Sequence, residues 1–317
     1  MHETKIYYKT EESIIITNDL DVIKTNRDNI IWIDLLNPGE LIKDIIEDFY
    51  DFDFKTDREI EEIESSSRYS ETLNFIIMNT NFASLDSDDN FVSDIVSMMI
   101  SKDVLITLRQ YDYFTFDEAE RKLKIKHRLP KTGFDVMSLL WEIRIDYEAD
   151  LLENLTKKIN YVSRRVVERD FDEELLAKIN QLQEHSMIVR ESIMDKQRIV
   201  SNIIRSTRFP RRIMEKMRIL IKDINSLLEY NKFNFERLEY LQDTVLGYIN
   251  SEQNKVIKIF TVLSVIFMPP TLIASIYGMN FKILPELNWQ LGYPFSLLLM
   301  VSSSLVTLLY FKRKKWL

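Results

Sequence analysis

The chain has 317 residues, a formal net charge of −8 and no cysteine. The acidic balance speaks against a nucleic-acid partner, which needs a basic footprint, and the missing cysteines exclude disulfides and thiolate zinc sites. Three histidines, His2, His127 and His185, are scattered too widely to set a metal-ligand spacing.

The opening Met1-His2-Glu3-Thr4-Lys5 carries no apolar h-region, so no signal peptide is expected. Residues 1–133 alternate strand and helix signals. Ile30-Ile31-Trp32-Ile33 reads as a buried strand, closed by Asn37-Pro38-Gly39. Leu41, Ile42, Ile45, Ile46 and Phe49 then follow a helical period. The apolar runs 73–78 and 95–100 are separated by a polar turn at 84–90 containing Asp86, Asp88 and Asp89, and 103–108 continues the series. Asp51-Phe52-Asp53-Phe54-Lys55 is not a calcium loop, because position five is Lys and no Gly follows. An α/β domain is the expected result.

From Phe134 the period becomes helical. Residues 134–209 read as a helical hairpin, with Leu175, Ile179, Leu182, Ser186, Val189 and Ile193 on one 4-3-4-3-4 stripe. A third pattern (Met217, Ile221, Ile224, Leu228, Asn231, Phe235, Leu238) runs on through 210–258, and no proline interrupts the chain between Pro210 and Pro269. The continuous reading is one stalk helix that enters a membrane; the alternative is a break near 230–234.

Residues 259–277 and 287–311 are free of charge. At ~1.5 Å per residue each is long enough for a ~30 Å hydrocarbon core. The segment 259–317 is therefore predicted to be a two-helix transmembrane hairpin with a short external loop, 278–286. From residue 254 onward seven basic residues face Glu286 alone, a surplus of six, which leaves −14 for residues 1–253. Lys255 and Lys258 precede the first span and Lys312-Arg313-Lys314-Lys315 follow the second, so both termini are expected on the cytoplasmic side. Trp289, Tyr293 and Trp316 sit near span ends, as interfacial aromatics do. The fold class is an α+β membrane protein: a cytoplasmic α/β domain, long helices, and a stalk continuing into the membrane.

Within the first span Asn254, Ile257, Thr261, Ser264, Met268, Thr271 and Ser275 share one helical stripe. Two readings compete: helix packing through small hydroxyl residues, or a pore lined by oxygen. Neither span holds a charge, which disfavours a proton relay or ion-coupled transporter and favours passive conduction. Two helices cannot enclose a pore, so conduction requires a ring of copies. Pro269-Pro270 free backbone carbonyls inside the span. At its outer end stands Tyr277-Gly278-Met279-Asn280, where Gly278 is expected to end the helix in a left-handed conformation. A ring of Asn280 amide oxygens could accept hydrogen bonds from a hydrated dication without stripping its water. Taken alone, Gly-x-Asn is just a helix-ending turn. No phosphate-binding glycine loop and no Cys/His or Ser/His catalytic arrangement occurs, so no enzyme is predicted.

The segment Ile266-Phe267-Met268-Pro269, Thr271, Tyr277-Gly278-Met279-Asn280-Phe281, Pro285-Glu286-Leu287, Gly292-Tyr293-Pro294 and the ending Tyr310-Phe311-Lys312, Lys314-Lys315-Trp316-Leu317 closely resembles the CorA family of magnesium channels. The resemblance extends in outline over the soluble part. It implies a homopentamer in the cell (inner or plasma) membrane, with Mg²⁺ both transported and regulatory. It implies that Gly278, Met279 and Asn280 form the selectivity filter, that Asn254 lies at the inner mouth, that Ile257, Phe260 and Met268 gate the pore, and that Thr271 lines it. Spacing selects Thr261 where the resemblance selects Phe260. The resemblance further implies closure by Mg²⁺ bound between subunits; Asp86, Asp88, Asp89 and Asp223 are the candidate acids, because the position matching the family's stalk aspartate is Ile219. Pro270 doubles a proline usually single, and Lys282 stands where related loops often carry an acid. The alternatives are Co²⁺, Ni²⁺ or Zn²⁺ as cargo, or a non-conducting membrane-anchored scaffold or sensor.

Overall fold

The computed structural model describes residues 3–52, 54, 68–86, 91–125, 130–171, 173–280 and 289–314. Asp88, Asp89 and the residues 281–288, with Lys282 and Glu286, lie outside them. The chain divides into two units, Met1–Gln242 and Asp243–Leu317.

The first unit is built on seven strands: β1 Glu3–Lys9, β2 Ile14–Thr17, β3 Ile30–Leu36, β4 Tyr69–Glu71, β5 Phe75–Leu85, β6 Phe91–Ser101 and β7 Val104–Arg109. They form one sheet in the order β2-β1-β3-β7-β6-β5-β4. Only β3 and β7 are parallel, with Ile33 opposite Ile106. Every residue of β3 and β7 is buried, as expected of central strands covered on both faces. One face carries Ile6, Ile33, Leu35, Val104 and Ile106 against Ile46 and Tyr50. Ile46 and Tyr50 belong to the amphipathic helix α2, Glu40–Tyr50, which follows the short α1, Asp21–Thr25. The other face receives α3 Phe114–Leu123, α4 Gly133–Glu168 and α5 Glu173–Arg205. There Tyr7 stacks on Trp32 at 4.2 Å between ring centroids, and Trp32 Nε1 donates to Thr107 Oγ1 at 3.0 Å.

Gly133 opens α4 because nothing larger fits. A Cβ there would lie 2.2 Å from the backbone nitrogen of Leu105 and 2.8 Å from the Asp103 carbonyl oxygen. The Asp135 carboxylate accepts the Thr132 N–H at 3.2 Å and a bond from Arg212 at 2.7 Å, which supplies one orphan donor at the helix start with an acceptor. The stripe predicted for α5 is buried throughout, from Leu175 to Ile193.

The third long helix, α6, spans Arg211–Tyr277 without a break, about 100 Å at 1.5 Å per residue. In the first unit its buried seam is Ile213, Met217, Leu220, Ile224, Asn231, Asn234, Leu238 and Leu241. Leu220 and Asn234 replace the predicted Ile221 and Phe235, which are half-buried. The asparagines explain why the helix does not break at 230–234. Asn231 Nδ2 donates to the Ser186 carbonyl oxygen at 3.0 Å and Ser186 Oγ donates to Asn231 Oδ1 at 2.8 Å, while Asn234 Nδ2 donates to Thr156 Oγ1 at 2.9 Å. Side chains engaged with α5 and α4 no longer compete for their own backbone.

The second unit contains the end of α6 and the helix α7, Gly292–Arg313. Both helices are long and apolar enough to cross a membrane, and their most apolar stretches are almost wholly exposed in the single chain. The second helix starts at Gly292, five residues later than the first predicted apolar position. Residues 289–291 form a turn before it, and Pro294 falls in the first helical turn, where its missing N–H breaks no bond.

Candidate functional site

The residues predicted to face an ion path lie on one helix. Asn254, Ile257, Phe260, Thr261, Ser264, Met268, Thr271 and Ser275 all belong to α6 and all are exposed. Their hydroxyl geometry is informative. Thr261 Oγ1 donates to the Ile257 carbonyl oxygen, Ser264 Oγ to that of Phe260 and Thr271 Oγ1 to that of Phe267, each at 2.8 Å. The protons turn inward to the helix, which leaves oxygen lone pairs on the outer surface. A hydroxyl held this way presents an acceptor, and an acceptor suits the water protons of a hydrated cation.

Gly278, Met279 and Asn280 follow directly, at the end of the helix, and all three are exposed. Gly278 N–H donates to the Ala274 carbonyl oxygen at 2.9 Å, and Met279 N–H to that of Ile276 at 3.2 Å, so the last turn tightens. The expected left-handed ending does not occur: no glycine in the described residues has a positive φ. Space is tight there instead, since a Cβ at this position would sit 3.0 Å from the Ala274 carbonyl oxygen.

Pro269 and Pro270 lack the N–H groups that would otherwise bond the carbonyls of Val265 and Ile266. One of these carbonyls finds a donor across the hairpin: Ser304 Oγ of α7 lies 3.4 Å from the Ile266 oxygen. This explains how the double proline is tolerated in an apolar surrounding. Sequence reading missed Ser304, although three consecutive serines (302–304) in an otherwise apolar span were the signal. Ser304→Ala is expected to loosen the hairpin by about 1 kcal/mol, read as a fall in thermal unfolding temperature in detergent, while Ser302→Ala should leave it unchanged.

Of the four predicted regulatory acids, the described residues include Asp86 and Asp223. Asp86 follows β5 and Asp223 lies on α6; both are exposed. Among the described residues no group of three or more His, Asp or Glu side chains could hold a metal within one chain. Asp223 does have acidic company that sequence reading missed. Burial raises the Asp146 carboxyl above its ordinary pKa; Lys122 opposes this, and Asp150, Glu142 and Asp223 add to it. The signal was there: 142, 146 and 150 repeat every four residues on one face of α4. These carboxylates in one chain make a patch of like charge that lacks the closed donor set of a metal site.

Three comparisons bear on this arrangement. The profile of the family described as "CorA-like Mg2+ transporter protein" matches residues 27–313. A magnesium transport protein CorA of Wolinella succinogenes is 39% identical over 318 residues, covering 98% of this chain and 99% of its own length. A magnesium transport protein CorA of Escherichia coli (strain K12) is 34% identical over 292 residues, covering 91% and 92%. Among solved structures, the complete CorA magnesium transporter of Methanocaldococcus jannaschii superposes with a TM-score of 0.80 at 18% identity, covering 99% of both chains. The full-length CmaX protein does so at 0.73 and 16%, covering 99% of this chain and 98% of its own. At those identities the structures speak for the fold alone. The profile match and the close relatives, each over nearly the whole length, say more: with its α/β sheet, its long helices and its two apolar spans, this chain belongs to the CorA-like Mg²⁺ transporter family.

Proposed function

We propose that five copies of this chain surround a pore lined by α6 and pass hydrated Mg²⁺ into the cell, driven by the membrane potential and closed by cytoplasmic Mg²⁺. The observation that carries this reading is the unbroken helix Arg211–Tyr277, which bears an exposed hydroxyl stripe in a charge-free span and ends on exposed Asn280. One chain leaves that stripe uncovered; a ring of copies turns the same acceptors toward a common axis. Both termini and the first unit are cytoplasmic in this reading, which the basic residues at the inner span ends support.

Each part has a physical role. Asn280 oxygens at the outer mouth accept hydrogen bonds from the ion's first water shell, which Mg²⁺ surrenders reluctantly. Met279 and Gly278 hold those amides close to the axis. Thr271, Ser275, Ser264 and Thr261 offer weak sequential acceptors, as conduction requires. Ile257, Phe260 and Met268 form apolar constrictions that gate by dewetting, and Asn254 marks the inner mouth. An inside-negative potential of 100 mV is worth ~4.6 kcal/mol for a divalent ion, which is sufficient drive without a chemical fuel.

For closure, the carboxylates of Asp223 and Asp86, with Asp88 and Asp89 next in sequence to Asp86, complete a Mg²⁺ site only with oxygens from a neighbouring copy. The net charge of −14 on residues 1–253 supports this, because like-charged subunits separate unless cations bridge them. Asp223→Ala is expected to raise Mg²⁺ flux severalfold at millimolar internal Mg²⁺ and to change nothing in its absence; equal flux under both conditions would move the regulatory site elsewhere. A panel of Mg²⁺, Co²⁺, Ni²⁺ and Zn²⁺ in the same proteoliposomes tests the cargo. An oxygen-only path favours Mg²⁺, and faster Co²⁺ or Zn²⁺ flux would reassign it.

A further inference from the structure

A second site lies in the first unit, at the end of the sheet where β1 finishes and β3 and β7 begin. A cavity of about 430 Å³ opens there between the β6–β7 turn and the end of α2. That volume falls in the range of small-molecule pockets. Its floor is formed by Ile30, Val104 and Tyr50. Four cations, Lys9, Arg27, Lys102 and Lys131, stand around it, against Asp28 and Asp103. The lining therefore carries a surplus of two positive charges. Among the described residues none of the four cations makes an ion pair, although most other basic residues near the sheet do.

The buried phenol is the second observation. Tyr50 is only 2% exposed and its Oη has no hydrogen-bond partner among the described residues. A buried hydroxyl left unpaired is costly, and this one belongs to a residue that lines the cavity. The neighbouring turn adds a third. Lys102 and Asp103 both have positive φ, 47° and 66°, in the two-residue loop joining the paired Ser101 and Val104. A two-residue hairpin turn requires positive φ at both central positions whatever residues stand there. Here it sets Lys102 on the cavity rim.

We propose that this cavity binds a small phosphorylated anion carrying about two negative charges. The Arg27 guanidinium offers a fork matched to phosphate oxygens, Lys9, Lys102 and Lys131 neutralise its charge, and Tyr50 Oη donates to an inner oxygen. The site is independent of the ion path. It gives the first unit a means of sensing a phosphorylated metabolite as well as a dication.

The test is isothermal titration of sodium pyrophosphate into the full-length protein in detergent and Mg²⁺-free buffer. Saturable binding of one anion per chain is expected. Tyr50→Phe should weaken it about fivefold, the loss of one hydrogen bond, and Arg27→Gln with Lys102→Gln about tenfold or more, since two charge-assisted contacts go. Lys122→Gln, outside this cavity, should leave it unchanged. The first three changed residues are either isosteric or exposed, so unfolding temperatures should stay near wild type. Absence of saturable heat up to about 10 mM, or equal affinity in the double variant, overturns the site. Citrate binding as tightly as pyrophosphate overturns the phosphate assignment.

Discussion

Alanine at Glu148 is expected to destabilise the first unit by about 3–5 kcal/mol. Glu148 is fully buried, and its Oε1 accepts from Lys196 Nζ at 2.7 Å, Ser192 Oγ at 2.6 Å and Arg144 Nε at 3.2 Å. Arg144 and Lys196 are equally buried. Arg144 Nη2 also donates to the Ala83 carbonyl oxygen at 2.5 Å, and Lys196 Nζ to that of Asn81, also at 2.5 Å. Both cations lie over the Phe82 ring, at 4.3 and 5.2 Å. One carboxylate thus joins α4, α5 and β5, and removing it strands two buried cations. Thermal unfolding of the full-length protein in detergent would show a large fall for Glu148→Ala. The double change Glu148→Met with Lys196→Met, which removes an anion and a cation together, should cost much less.

The same cluster has a pH signature. Burial lowers the Lys196 pKa from 10.5 to about 8, with Glu148 opposing and Arg144 assisting. Between those values the unfolded chain holds a proton that the folded chain has released. The contribution of this group to stability therefore rises with pH across that window; below pH 8, where both states are protonated, its cost is fully present.

The largest functional effect is expected at Asn280. In the proposed ring, Asn280→Ala removes one acceptor from each copy. With about 1 kcal/mol per hydrogen bond and several copies contributing together, Mg²⁺ uptake should fall about a hundredfold. Asn280 is exposed at the helix end, so assembly and unfolding temperature should not change. Asn280→Asp separates the two roles of the side chain. It keeps an oxygen but adds charge, so it should bind the dication more tightly and release it more slowly. Unaltered uptake in Asn280→Ala would favour a span whose hydroxyls serve only helix packing.

Much of this was legible in the sequence because its signals are local. The period of 3.6 from Leu175 to Ile193 and the charge-free spans depend on neighbouring residues alone, and the structure follows both. The α6 seam shifted by one residue at Leu220 and Asn234 because its register is set by partners on α4 and α5. Gly278 was assigned a left-handed conformation that it does not adopt; a Cβ there would meet the Ala274 carbonyl closely. Ser304 meets Ile266 across 38 positions, and Glu148 meets Lys196 across 48. Such pairings leave no periodic trace. The polar cluster at 144, 148, 192 and 196 carries no sequence signal of its burial, because charge normally marks exposure.

The most direct test of the account is Mg²⁺ entry into liposomes holding only this protein, with an inside-negative potassium diffusion potential and no nucleotide present. The account predicts uptake that grows with the imposed potential and ceases when the potential is collapsed against an opposing Mg²⁺ gradient. Uptake no greater than in protein-free liposomes at any potential would contradict it.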